Sequence, residues 1–98
     1  MRSAAVALLA RRERGEPLAW LTGETTFCGE ELVVHPGVYV PRPHTELVAL
    51  RALAVLPAGG VAIDLCTGCG AIAAVLQRHR PFATVVASDV DPTAVACA

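Results

Sequence analysis

Asp64-Leu65-Cys66-Thr67-Gly68-Cys69-Gly70-Ala71 is the stretch on which the fold turns. It completes a nearly continuous apolar run, Val61-Ala62-Ile63, of the kind expected for a strand buried on both faces. After the loop, Ala71 to His79 predicts a helix that must stop before Pro81. Thr84 to Ser88 predicts a second strand ending at Asp89, and Pro92 opens another helix through Val95. Strand, loop, helix and strand in that order imply a parallel pair, hence an open α/β sheet.

A loop joining the carboxyl end of a strand to a helix is where open α/β sheets hold ligands. Gly68 and Gly70 let the backbone turn through positive φ and come close to a ligand. The helix beginning near Ala71 aims its free N–H groups into the same loop. Asp89, at the end of the following strand, supplies a carboxylate able to accept two hydrogen bonds from a ribose diol. The competing structural explanation is a tight turn followed by a surface aspartate. A dinucleotide fingerprint is incomplete, because Gly68-x-Gly70 is followed by Ala71, Ile72 and Ala73. Asp64 stands where nicotinamide sites usually keep an apolar residue and methyltransferases an acid, which favours S-adenosylmethionine.

Upstream of this unit the punctuation is dense. Ser3 can cap a helix over Ala4 to Arg14, with arginines in its last turn and Gly15 as its stop. Pro17 suits the first turn of a short helix through Trp20 and Leu21, closed by Gly23. Thr25 to Cys28 and Leu32 to Val34 flank Gly29-Glu30 and suggest a β-hairpin. Val38 to Val40 look extended, and Pro41 and Pro43 hold Arg42 out of helical conformation. Thr45 is read as the cap of a helix from Glu46 to Leu56.

The chain of 98 residues is 54% hydrophobic and 17% charged, enough for a core and too apolar for disorder. Its net charge of −1 gives no electrostatic case for nucleic acid or an acidic membrane. The apolar run Ala4 to Ala10 is at the short limit for a signal peptide, and a short amphipathic helix of a cytoplasmic protein is the simpler reading. Cys28, Cys66, Cys69 and Cys97 are expected to be reduced, since the chain can build a core without staples. Cys66-x-x-Cys69 could be a redox pair or half a zinc site, but no second ligand pair has matching spacing and no metal site is expected.

From Arg12 to Ala98 the chain resembles the HemK/PrmC family of protein-glutamine N5-methyltransferases, which modify peptide chain release factors. The residues carrying the resemblance are Gly15-Glu16-Pro17-Leu18-Ala19-Trp20-Leu21-Thr22-Gly23, Phe27-Cys28-Gly29, Pro41-Arg42-Pro43-His44-Thr45-Glu46, Asp64 to Gly70, and Asp89-Val90-Asp91-Pro92. The resemblance implies a partial Rossmann-like class I fold, preceded by a short helix and a β-hairpin. It divides the chain into the end of a helical region (1–23), a hairpin and linker (24–44), and the first part of a methyltransferase domain (45–98). It also implies that Asp64, Cys66, Thr67, Gly68, Cys69, Gly70 and Asp89 hold S-adenosylmethionine, and that Phe27, Arg42 and Thr45 lie on the substrate side or close the pocket. The expected partner is a release factor, with neither nucleic acid nor membrane bound directly.

Two departures from the family pattern stand out. Cys66 and Cys69 replace a common Gly and Ser or Thr, and His44 replaces a common acid. The family's Asn-Pro-Pro-Tyr motif, which grips the substrate amide, would fall beyond Ala98, and the sequence contains no Asn at all. The chain is therefore expected to hold a cofactor half-site, to carry no catalytic residue and to be inactive alone. The alternatives are a non-catalytic truncated remnant, or a methyltransferase of the same fold acting on another protein or on nucleic acid.

Overall fold

The computed structural model describes residues 2–98, with side chains from Ala4 onward. The order is α1 (Arg2–Glu13), α2 (Leu18–Thr22), β1 (Glu24–Phe27), β2 (Glu30–Val33), α3 (Thr45–Val55), β3 (Val61–Leu65), α4 (Ala71–His79), β4 (Thr84–Ser88) and α5 (Pro92–Cys97). The architecture is mixed α/β, with two separate two-stranded sheets. No helix of the described residues is long and apolar enough to cross a membrane.

The expected Ser3 cap lies outside the residues whose side chains are described. At the other end of α1 the chain reverses through Gly15 at φ 94°. Gly15 N–H donates to the Arg12 carbonyl and Glu16 N–H to the Arg11 carbonyl, the paired bonds that satisfy the last carbonyls of a helix closed by a left-handed residue. The Arg11 guanidinium holds the turn at 3.0 Å from Glu16 and keeps the Glu16 carboxyl below its ordinary range. Pro17 sits just ahead of α2 rather than inside it, and Gly23, at φ 81°, ends that helix as expected.

β1 and β2 pair antiparallel, Phe27 opposite Glu30. Their two-residue turn is Cys28-Gly29, one residue earlier than the sequence suggested. Both residues have positive φ, at 50° and 74°, which matches the twist of a tight hairpin. The hairpin's inner face belongs to the larger of two buried clusters among the described residues. Phe27, Val34, Val38, Ala49 and Val75 are all within 1% of complete burial, gathering β1, the chain after β2, α3 and α4 around one core. Trp20 packs beside it and donates its ring N–H to the Val38 carbonyl at 2.8 Å. Val38 to Val40 form no strand, contrary to expectation, because Val38 N–H turns back onto the His35 carbonyl.

β3 and β4 pair in parallel, Val61 opposite Thr84 through Leu65 opposite Ser88, with α4 as the crossover. All three elements have the bounds read from the sequence. α3 packs on α4, and Arg80, just beyond α4, donates to the Leu53 and Leu56 carbonyls. A cation there satisfies the otherwise open end of α3. Thr45 is the first residue of α3, not its cap. His44 holds the capping position in helical conformation, and its side chain makes no capping bond. α5 continues to Cys97, two residues past the expected end, and is capped by the Asp91 carboxylate accepting from Thr93 N–H.

One expectation fails clearly. β3 is not buried on both faces. Ala62 packs toward Leu76 and Ile72, but Val61, Ile63 and Leu65 point away from α4 and are exposed, Ile63 by 65%. Apolarity on both sides of a strand records what the strand can bury. With only β4 beside it and helices only on one side, the described residues cover one face.

Candidate functional site

At the carboxyl ends of β3 and β4 the chain forms a cleft of about 430 Å³. Its floor is the loop between β3 and α4, and two aspartates flank it. Thr67 is buried and fixed twice: its backbone N–H donates to the Ser88 carbonyl at 2.9 Å, and its hydroxyl donates to Asp64 Oδ2 at 2.7 Å. Those bonds tie the loop to both strand ends. Gly68, at φ 60°, turns its N–H onto Asp89 Oδ2 at 3.0 Å, while Asp89 Oδ1 accepts from Asp91 N–H at 2.9 Å. The backbone N–H groups of Asp91 and Gly68 hold the Asp89 carboxyl below its ordinary range. The aspartate therefore shapes the loop. Each oxygen keeps a lone pair for a hydroxyl donor.

Asp64, Cys66, Thr67, Gly68, Cys69 and Asp89 all line this cleft. Gly70 does not. It caps α4 at φ 82°, accepts from Ala74 N–H and faces a neighbouring groove bounded by Cys97 and Ala98. A Cβ on Gly70 would stand 3.1 Å from the Ala98 Cβ, so this glycine serves both turn and packing. Cys66 is exposed and held at φ 57°, a conformation that costs a side-chain-bearing residue roughly 1 kcal/mol. Cys69 is buried, and that burial, then the neighbouring Cys97, pushes its thiol above the ordinary range. A reactive redox pair needs the reverse. All four cysteines are free, and no cluster among the described residues could hold a metal.

The three residues assigned to the substrate side separate. Thr45 lines the cleft from the start of α3. Phe27 is 1% exposed in the hairpin core and packs rather than lines. Arg42 is outside the cleft, in an adjoining groove, with its Nε donating to the Tyr39 hydroxyl at 2.7 Å. Tyr39 and Pro41 form the wall opposite the glycine loop, which the sequence reading missed. A Cβ placed on Gly68 would lie 3.8 Å from the Tyr39 carbonyl, so the two segments approach closely. The Pro41-Arg42-Pro43 stretch was the available signal, since paired prolines mark a segment held in one direction.

The donor set narrows the ligand. Two carboxylates line the cleft, and among the described residues no Arg or His does. Phosphates would meet like charge there, whereas a cationic ligand carrying hydroxyls would find acceptors. A sulfonium nucleoside with an ammonium group would fit that chemistry.

No protein-family model matches the chain. Curated proteins match it over nearly its full length. The release factor glutamine methyltransferase of Salmonella typhimurium is 49% identical over 93% of this chain. That of Escherichia coli is 47% identical over 94%, and that of Neisseria gonorrhoeae 42% over 97%. The aligned part is 33%, 34% and 35% of those proteins, so the chain spans about a third of the length of the curated relatives it matches.

Proposed function

We propose that this chain is the methyl-donor-holding stretch of a protein-glutamine N5-methyltransferase acting on a peptide chain release factor. The similarity to release factor glutamine methyltransferases supports the reaction class. The observation that carries the cofactor assignment is the pair Asp64 and Asp89 at adjacent parallel strand ends, both bonded to the loop between them. In this reading residues 45–98 are the first part of a Rossmann-like class I domain, 24–44 a hairpin and linker, and 1–23 the end of a helical region.

S-adenosylmethionine, when bound, supplies a methyl group already activated on a sulfonium sulfur. The work left to this chain is positioning. Asp89 would accept from the ribose hydroxyls, the Cys66 to Cys69 backbone would hold the methionine part, and Asp64 would offer negative charge to the cationic group. Thr67 keeps Asp64 and the loop in register through its buried hydroxyl. Alignment of donor and acceptor can supply a large share of a methyl-transfer barrier without any acid or base.

Calorimetric titration with S-adenosylhomocysteine tests the assignment. The folded chain is expected to bind, and Asp89→Ala to lose that binding while keeping its circular dichroism spectrum. A folded wild-type chain that takes up none, or an Asp89→Ala chain that binds as well, overturns the site.

A further inference from the structure

Beside the cleft lies a second groove of about 320 Å³, and Tyr39 and Pro41 are walls of both. Its other sides come from Pro17, Trp20, Arg42 and Pro43. Three features set it apart from an ordinary surface dent. Tyr39 is 63% exposed, a large aromatic face left to solvent although its hydroxyl is held by Arg42 at 2.7 Å. Arg42 leans over that ring at 5.9 Å from its centre. Among the described residues no carboxylate lies within ion-pair distance of Arg42, and its two terminal nitrogens donate to no protein atom, since only Nε is engaged. Arg42 is thus a cation aimed by a tyrosine and two prolines, with its forked end unused.

We propose that this groove docks an extended, acidic segment of the protein substrate, with a substrate carboxylate on the free end of Arg42 and an apolar side chain against Tyr39. The inference rests on the methyltransferase reading, because the shared wall lets a segment bound here deliver its next residues to the cleft. Charge selects the occupant: a bidentate guanidinium favours a carboxylate, while the rest of the groove is proline and aromatic surface suited to an extended backbone. Trp, Tyr and Arg are also the residue types that carry most binding energy at protein interfaces. Tyr39 is a positioning residue here, since its hydroxyl sets the direction of the guanidinium.

The protein's single tryptophan, Trp20, lines the groove and reports on it directly. Its fluorescence is to be followed in the whole chain on titration with a ten-residue glutamine-containing peptide bearing two glutamates, and with the same peptide bearing glutamines instead. The acidic peptide is expected to shift the emission saturably and to bind about tenfold more tightly than the neutral one. Arg42→Ala should erase that preference. Arg42→Lys should keep only part of it, because lysine lacks the fork, and Tyr39→Phe should weaken it while leaving the ring. Equal binding of both peptides, no binding of either, or an acidic preference that survives Arg42→Ala overturns the proposal. Calorimetry with S-adenosylhomocysteine runs beside each titration. Peptide selectivity lost with cofactor binding intact condemns the groove alone, whereas absent cofactor binding condemns the reading beneath it.

Discussion

The two sheets of this protein have the same number of strands and opposite relations to water. The β1–β2 hairpin is antiparallel, closed by a two-residue turn, and sets Phe27 and Leu32 into the core while Thr26, Glu31 and Val33 face out. The β3–β4 pair is parallel and more apolar, yet it leaves Val61, Ile63 and Leu65 exposed. What separates the sheets is covering, not composition. The hairpin has α3, α4 and the chain through Val34 and Val38 packed on its inner face, whereas β3 and β4 have α4 on one side and nothing among the described residues on the other. The contrast places the fullest burial at the hairpin and the candidate cleft at the parallel pair. Only parallel strands bring two carboxyl ends, and so Asp64 and Asp89, side by side.

Substitutions can break that contrast. The largest effect is expected from Phe27→Ala, which removes the most deeply packed aromatic ring and should destabilise the chain by about 3–5 kcal/mol, measured by urea denaturation. A loss under about 1 kcal/mol would mean that the hairpin is not the anchor. Gly70→Ala comes next, at roughly 1–2 kcal/mol, because its positive φ and the 3.1 Å approach to Ala98 both oppose a Cβ. A neutral result there would detach α5 from the loop.

Cys66→Gly sharpens the comparison from the other side. Relieving a left-handed cysteine should stabilise the chain by about 1 kcal/mol, and unchanged stability would indicate that the loop relaxes when free. Acidification acts on the same loop. The Asp89 carboxyl has a lowered folded-state value, so its contribution is present above the ordinary aspartate value of about 3.9 and disappears as pH falls through the lower folded value. The melting temperature of Asp89→Asn should therefore depend less on pH in that window than the wild type's. Parallel curves would show that the Gly68 and Asp91 bonds do not persist in solution. The smallest effect belongs to Ile63→Ser on the bare face, within about 0.5 kcal/mol by the same urea measurement. A loss of several kcal/mol would mean that this face is covered in solution, and an unchanged value that it is not.

The site was legible in unequal parts. Gly68, Gly70 and Asp89 follow from glycine placement and strand ends, and Asp64, Cys66, Thr67 and Cys69 come with the resemblance; all of them except Gly70 line one cleft. That Tyr39 and Pro41 wall the cleft is not legible in the sequence, because a residue in an irregular segment carries no periodicity from which its direction could be read. Phe27 was placed near the pocket by resemblance, but the hairpin turns its ring into the core. Thr45 has a residue type that suits a helix cap. The backbone instead enters α3 one residue earlier, through His44 in helical conformation.

The sequence by itself determined the bounds of β3, α4 and β4, since an apolar run, a glycine loop and Pro81 act within a few residues of where they stand. It also determined the helix ends at Gly15 and Gly23, where a positive φ is required locally. Only the tertiary structure decided which face of β3 is covered, which wall faces the glycine loop, and that Asp89 is bonded to the backbone of Gly68. Each of those depends on segments far apart in the chain meeting in space, and local propensity has no term for such an encounter.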